Sequence, residues 1–164
     1  EAAALKANLG QDPRIAVHQR DGYAAIKALL PPRHAARKFA RGLVLIDPPY
    51  EAQLDEFDTA LAAIREALAR WPQGMLALWY PIKQRRVLHG FYRRAAALEA
   101  KSALLLELLV RPDDSPLRMN GSGMLLLNAP WRMDGTLQRT LPALQAALGE
   151  TGASHRVEWL RTPA

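Results

Sequence analysis

Hydrophobic and polar positions follow two rhythms along this chain. Leu43-Val44-Leu45-Ile46 is an unbroken apolar run, the pattern of a strand buried on both faces. Met75 to Tyr80, Ser102 to Val110 (with Glu107 inside it) and Met124 to Asn128 are further strand-like runs. Between the first two, Leu54, Phe57, Leu61, Ile64 and Leu68 recur at helical spacing and predict a helix over 53–70, broken by Pro72 and Gly74. Tyr23, Ile26, Leu29 and Leu30 predict a shorter helix ended by Pro31-Pro32. Helices are also expected over Glu1–Leu9, Gln84–Ala100 and Asp134–Leu148, and short strands over Arg14–His18 and His155–Leu160. Asn120-Gly121-Ser122-Gly123 reads as a tight turn. The strands over 102–110 and 124–128 have no helix between them and should pair antiparallel. The pattern is that of an α/β fold without repeats.

The first apolar run stops abruptly at Asp47-Pro48-Pro49-Tyr50. The prolines lack N–H donors and fix φ, so the ladder cannot continue and the backbone is held stiff. Ligands of open parallel sheets bind outside the carboxyl ends of the strands, where Asp47 and Tyr50 would stand. The alternative is a bare proline turn with Asp47 capping the next helix.

Composition narrows the classes. With 164 residues, 49% hydrophobic and 23% charged, the chain is globular and large enough for a core. It has no apolar run of membrane-spanning length, and no secretory signal opens it. The absence of cysteine excludes disulfides and thiolate chemistry, and four scattered histidines give no metal-ligand spacing. The net charge of +6 and a pI near 10.1 favour a polyanionic partner. Arg33, His34, Arg37, Lys38 and Arg41 form a basic connector, either solvated or touching phosphate. Lys83 follows the second strand, and Arg85, Arg86, Arg93 and Arg94 make the next helix strongly basic, a candidate surface for a nucleic-acid backbone. Trp79 reads as core. Asp21-Gly22 also sits past a strand-like run; taken alone it is a cap for the helix that follows.

Several stretches together resemble the RlmJ family, bacterial methyltransferases acting on adenine N6 in 23S ribosomal RNA. They are Asp21-Gly22-Tyr23, Gly42 to Glu51, Leu78-Trp79-Tyr80-Pro81-Ile82-Lys83, Arg111-Pro112-Asp113-Asp114 and Asn120-Gly121-Ser122-Gly123-Met124. The resemblance implies a class I S-adenosylmethionine-dependent methyltransferase sheet of Rossmann-like type with a C-terminal antiparallel strand pair. It implies Asp47 as the catalytic aspartate, and Asp21, Gly22 and Asp47 around S-adenosylmethionine, with no metal. Pro48 through its carbonyl, Tyr50 as a stacking face and Lys83 as a phosphate contact would meet the substrate, 23S rRNA. No glycine-rich first-strand motif and no acidic second-strand end is found. Residues 1–164 therefore read as the C-terminal part of a single methyltransferase domain lacking its first and second strands. A cytoplasmic monomer without membrane association is expected. A DNA adenine-N6 methyltransferase and a non-catalytic nucleic-acid-binding module are the alternatives.

Overall fold

The strand that ends at Asp47 is the outermost of a five-stranded mixed sheet. The computed structural model describes residues 1–34, 37–50, 54–116 and 119–163. In chain order its elements are α1 (Ala2–Leu9), α2 (Gly22–Leu29), β1 (Arg33–His34), β2 (Arg37–Lys38), β3 (Leu43–Ile46), α3 (Leu54–Arg70), β4 (Met75–Ile82), a short 3₁₀ turn (Arg85–Leu88), α4 (His89–Ala96), β5 (Ala103–Leu109), β6 (Gly121–Leu127), α5 (Met133–Leu148) and β7 (Ser154–Arg161). The sheet order is β3-β4-β6-β5-β7. β3 and β4 are parallel; β6 runs antiparallel to both β4 and β5, and β7 is antiparallel to β5. β1 and β2 form a separate two-stranded ribbon. This is the expected α/β sheet with a late antiparallel pair.

Burial explains the layers. Val44 and Ile46 pair with Leu76 and Leu78 and share their face with Tyr80. That face is covered by Phe57, Leu61 and Ile64 of α3 and by Phe91 of α4. Leu43 and Leu45 point the other way and are 62% and 60% exposed. Among the described strands, the outer edge of β3 has no partner.

Three expectations change. Residues 14–18 are irregular, since a strand needs a neighbour to satisfy its ladder and none of the five strands flanks them. The stretch 120–123 is not a turn: Gly121 and Gly123 lie inside β6 and are buried. Their lack of side chains is a packing requirement. A Cβ on Gly121 would stand 2.1 Å from the Leu108 carbonyl oxygen, and one on Gly123 would stand 2.3 Å from the Tyr80 ring. The basic helix over 84–100 is a 3₁₀ turn followed by α4, two turns of α-helix. β4 also continues through Pro81-Ile82. Its pairing with β3 ends at Leu78, so the missing Pro81 N–H faces a side with no ladder to complete. Glu51 and Gln53, near the predicted start of α3, lie outside the described residues.

One buried carboxylate ties the antiparallel half together. Glu107 on β5 is fully buried. It accepts from Tyr80 Oη (2.8 Å), Tyr92 Oη (2.6 Å), Arg85 Nε (2.8 Å) and Arg156 Nε (3.0 Å). The Arg156 guanidinium also lies 4.7 Å from the centroid of the Tyr92 ring. Burial pushes the Glu107 carboxyl up, but the donors outweigh it and hold it below the usual glutamate range. Its contribution to stability is therefore complete above that range and is lost as pH falls through the lowered value. We expect Glu107→Ala to cost about 3–5 kcal/mol in urea unfolding, because two guanidinium groups lose their buried partner. The deficit should narrow when the titration is repeated at low pH.

Candidate active site

Four consecutive residues after β3 have alternating environments. Asp47 and Pro49 are exposed; Pro48 and Tyr50 are buried. Residues 48–50 are not helical, so Asp47 cannot cap α3. Its carboxylate hydrogen-bonds to no described residue. Tyr50 adopts φ 52, in the left-handed region, which a non-glycine residue enters at a cost of the order of 1–3 kcal/mol. Such strain persists only where surroundings impose it. Here the ring is 6% exposed and packs at 5.2 Å against Phe57 and at 5.9 Å against Trp79, while its Oη donates to the Trp79 carbonyl at 2.7 Å. Burial pushes the phenol well above its ordinary pKa, so it remains a donor at every physiological pH.

This corrects the expectation for Tyr50. Its ring is no open face for a base; it is a buried anchor that fixes the turn from behind. Trp79 is half-buried against the core, close to the sequence reading.

Asp47 and Pro48 line a cleft of about 150 Å³ with Gly22, Tyr23, Ile26 and Val44. The N-terminus of α2 is thus brought beside the end of β3. Asp21 caps that helix: its Oδ1 accepts from the Ala24 N–H at 2.7 Å. The structural role foreseen for Asp21 is real, and it sets Gly22 at the cleft. A Cβ on Gly22 would meet nothing within 4 Å, so the space above this glycine is open. Pockets for drug-sized ligands run roughly 300–1,000 Å³, and this cleft is smaller.

Tyr23 is a cleft residue that periodicity treated only as part of a helix face. Its Oη donates to Glu56 on α3 at 2.5 Å, locking α2 to α3. Burial and then the Glu56 carboxylate push the phenol well above its ordinary pKa. The mixture of a tyrosine in an apolar pattern and acids at a helix start was visible, but their pairing over 33 residues was not.

The basic stretch after β4 divides. Lys83 is exposed at the same end of the sheet as Asp47, but not in the cleft. It follows the end of β4 and is four residues past Trp79, roughly 13 Å at strand rise. Arg85 is taken by Glu107 and by Ser154 Oγ (3.2 Å). Arg94 pairs with Asp58. Arg85 is held by a fully buried carboxylate, whereas Arg94 and Asp58 are both exposed, and an exposed ion pair is weak. Arg86 and Arg93 are exposed. Of the four arginines of the expected docking face, Arg85 is turned inward and Arg86, Arg93 and Arg94 remain exposed.

A family model described as ribosomal RNA large subunit methyltransferase D, RlmJ, matches residues 1–161. The chain belongs to the RlmJ family. It is 36% identical over 157 residues to the ribosomal RNA large subunit methyltransferase J of Haemophilus influenzae, covering 95% of this chain and 54% of that protein. It is 35% identical over 157 residues to the Escherichia coli protein of the same name, with the same coverage. The chain thus spans about half the length of the curated relatives it matches. The crystal structure of protein LPL1258 from Legionella pneumophila superposes with a TM-score of 0.71 at 26% identity, covering 85% of this chain and 49% of that one. Membership makes the class I methyltransferase sheet the frame for the cleft. Among the described residues no group of acids and histidines could hold a metal ion, and no helix is long and apolar enough to cross a membrane.

Tyr50→Phe should lower unfolding free energy by about 1 kcal/mol, the worth of one hydrogen bond. Tyr50→Ala should cost about 3–5 kcal/mol by emptying the space between Phe57 and Trp79. Thermal unfolding of both variants checks the anchor: equal losses would mean that the ring is not packed.

Proposed function

We propose that this chain forms the catalytic half of an enzyme that transfers a methyl group from S-adenosylmethionine to the N6 amine of an adenine in 23S ribosomal RNA. The observation that carries the reading is the exposed Asp47 carboxylate, bonded to no described residue, at the end of a parallel strand whose following turn is anchored by Tyr50, in a chain of the RlmJ family. RlmJ relatives named as ribosomal RNA large subunit methyltransferases support the substrate.

An exocyclic adenine amine is a poor nucleophile because its lone pair is delocalised into the ring. Asp47 would accept one N–H hydrogen bond from it, and the Pro48 carbonyl a second. These bonds favour a pyramidal nitrogen whose lone pair is aimed outward. The stiff proline backbone keeps both acceptors in place through the reaction. Bound S-adenosylmethionine supplies the electrophilic methyl group. Asp21, Gly22 and Asp47 would hold it, beside the apolar wall of Ile26 and Val44. The open space above Gly22 and the acid beside an apolar floor fit a flat, amino-bearing ring system. In this reading Asp47 orients and Tyr50 positions. The proton lost from the methylated, cationic nitrogen would pass to solvent.

Lys83, with Arg86 and Arg93, would contact phosphates near the cleft. The unpaired edge of β3 and the exposed Leu43 and Leu45 support further strands and helices of the same domain at this edge. On that reading residues 1–164 are the C-terminal part of one methyltransferase domain that works in the cytoplasm as a monomer.

Asp47→Ala in the full-length protein should lower the single-turnover methylation rate at least 100-fold, the scale of losing an oriented electrostatic group. RNA affinity should stay within about threefold, since a single orienting acceptor contributes little to ground-state binding. Undiminished transfer by this variant would remove Asp47 from the mechanism.

A further inference from the structure

The β1–β2 ribbon carries a charge pattern that its own structure cannot use. From Arg33 to Arg41 there are four permanent cations and no carboxylate, within a chain whose whole net charge is +6. The register sets Arg33 opposite Lys38, and like charges directly across a ladder repel. Arg33, Arg37, Lys38 and Arg41 are exposed, and none forms an ion pair among the described residues. Phe39, between them, is 50% exposed.

The ribbon is nonetheless held firmly at its base. Trp71 is buried, and its Nε1 donates to the Phe39 carbonyl at 2.9 Å. The Phe39 N–H donates to the Pro32 carbonyl at 2.9 Å. Gly42 lies so close to the Trp71 ring that a Cβ would stand 2.6 Å from it. A built anchor under repelling cations means that the charges are presented to something outside the chain. A backbone already held at its base also loses less entropy on binding.

We infer that this ribbon is a docking surface for unpaired RNA, its cations on successive phosphates and Phe39 stacked on a base. The inference rests on the reading of the enzyme as an RNA methyltransferase. Cations interleaved with an open aromatic ring are the combination that binds single strands, in which bases are free to stack. The ribbon stands at the opposite end of β3 from Asp47. α2 bridges the two ends: Gly22 is at the cleft, and Leu30 shares a second cavity with Arg33 and Arg70. Arg41, the ribbon cation nearest in sequence, is six residues from Asp47, roughly 20 Å along an extended chain. An RNA loop whose target adenine enters the cleft would therefore reach the ribbon with its flanking nucleotides.

The test uses the full-length protein and a labelled single-stranded RNA oligonucleotide, with affinity measured by anisotropy over a series of salt concentrations. Each phosphate contact on a single strand contributes about −0.7 to the slope of log affinity against log salt. The combined variant Arg33→Gln/Arg37→Gln/Lys38→Gln/Arg41→Gln should flatten the slope by about 2–3. Phe39→Ala should weaken binding roughly tenfold with the slope unchanged. Unchanged S-adenosylmethionine affinity, read by calorimetry, shows that both variants remain folded. A four-site variant with the wild-type slope overturns the ribbon while leaving the methyltransferase reading intact. Tighter binding of duplex DNA than of single-stranded RNA, with no effect of Phe39→Ala, also overturns it. A wild-type protein that binds no RNA overturns both.

Discussion

Tyr50 holds the candidate site in shape. Its backbone sits in a left-handed conformation that a tyrosine would not choose, and its ring is kept there by Phe57, Trp79 and the bond to the Trp79 carbonyl. Two prolines stiffen the chain just before it. With both ends fixed, the residues between have no freedom to relax, and Asp47 is left facing outward without a described partner. The same anchor joins β3, β4 and α3, because the ring touches α3 while its hydroxyl is bonded to β4. A local strain is thus offset by burial in the core, which fixes the backbone that follows Asp47.

The antiparallel half is governed by a different constraint. Glu107 is a charge with no water, and its position on β5 is tenable only because β4, α4, β7 and the turn at Arg85 each deliver a donor to it. This explains why Arg85 is not available to a nucleic acid. It also explains the buried Gly123 of β6, which gives the Tyr80 ring room to reach the carboxylate. The sheet order that threads β6 between β4 and β5 makes this convergence possible.

Much of this was legible in the sequence, for identifiable reasons. The helical spacing over 54–68 is decided by burial, and the apolar run over 43–46 forms its strand where expected, although Leu43 and Leu45 are exposed and only one of its faces is covered among the described residues. Asp47, Pro48 and Gly22 meet at one cleft because strand ends and helix starts share the active edge of a parallel sheet. Long-range pairing was not legible. Nothing local marks Glu107 as the partner of Arg85, 22 residues away, or Tyr23 as the partner of Glu56. The glycines at 121 and 123 read as a turn in the sequence because turn chemistry and close packing demand the same residue. The ring of Tyr50 was assigned to the surface because its aromatic chemistry suits a base, whereas its φ value and the Trp79 carbonyl place it inside.

The most direct measurement is of the product itself. Full-length protein would be incubated with protein-free 23S ribosomal RNA and methyl-labelled S-adenosylmethionine, and the RNA digested to nucleosides. The account predicts label in N6-methyladenosine, with duplex DNA left unlabelled under the same conditions. Label in any other nucleoside, or transfer to DNA in preference to RNA, would contradict it.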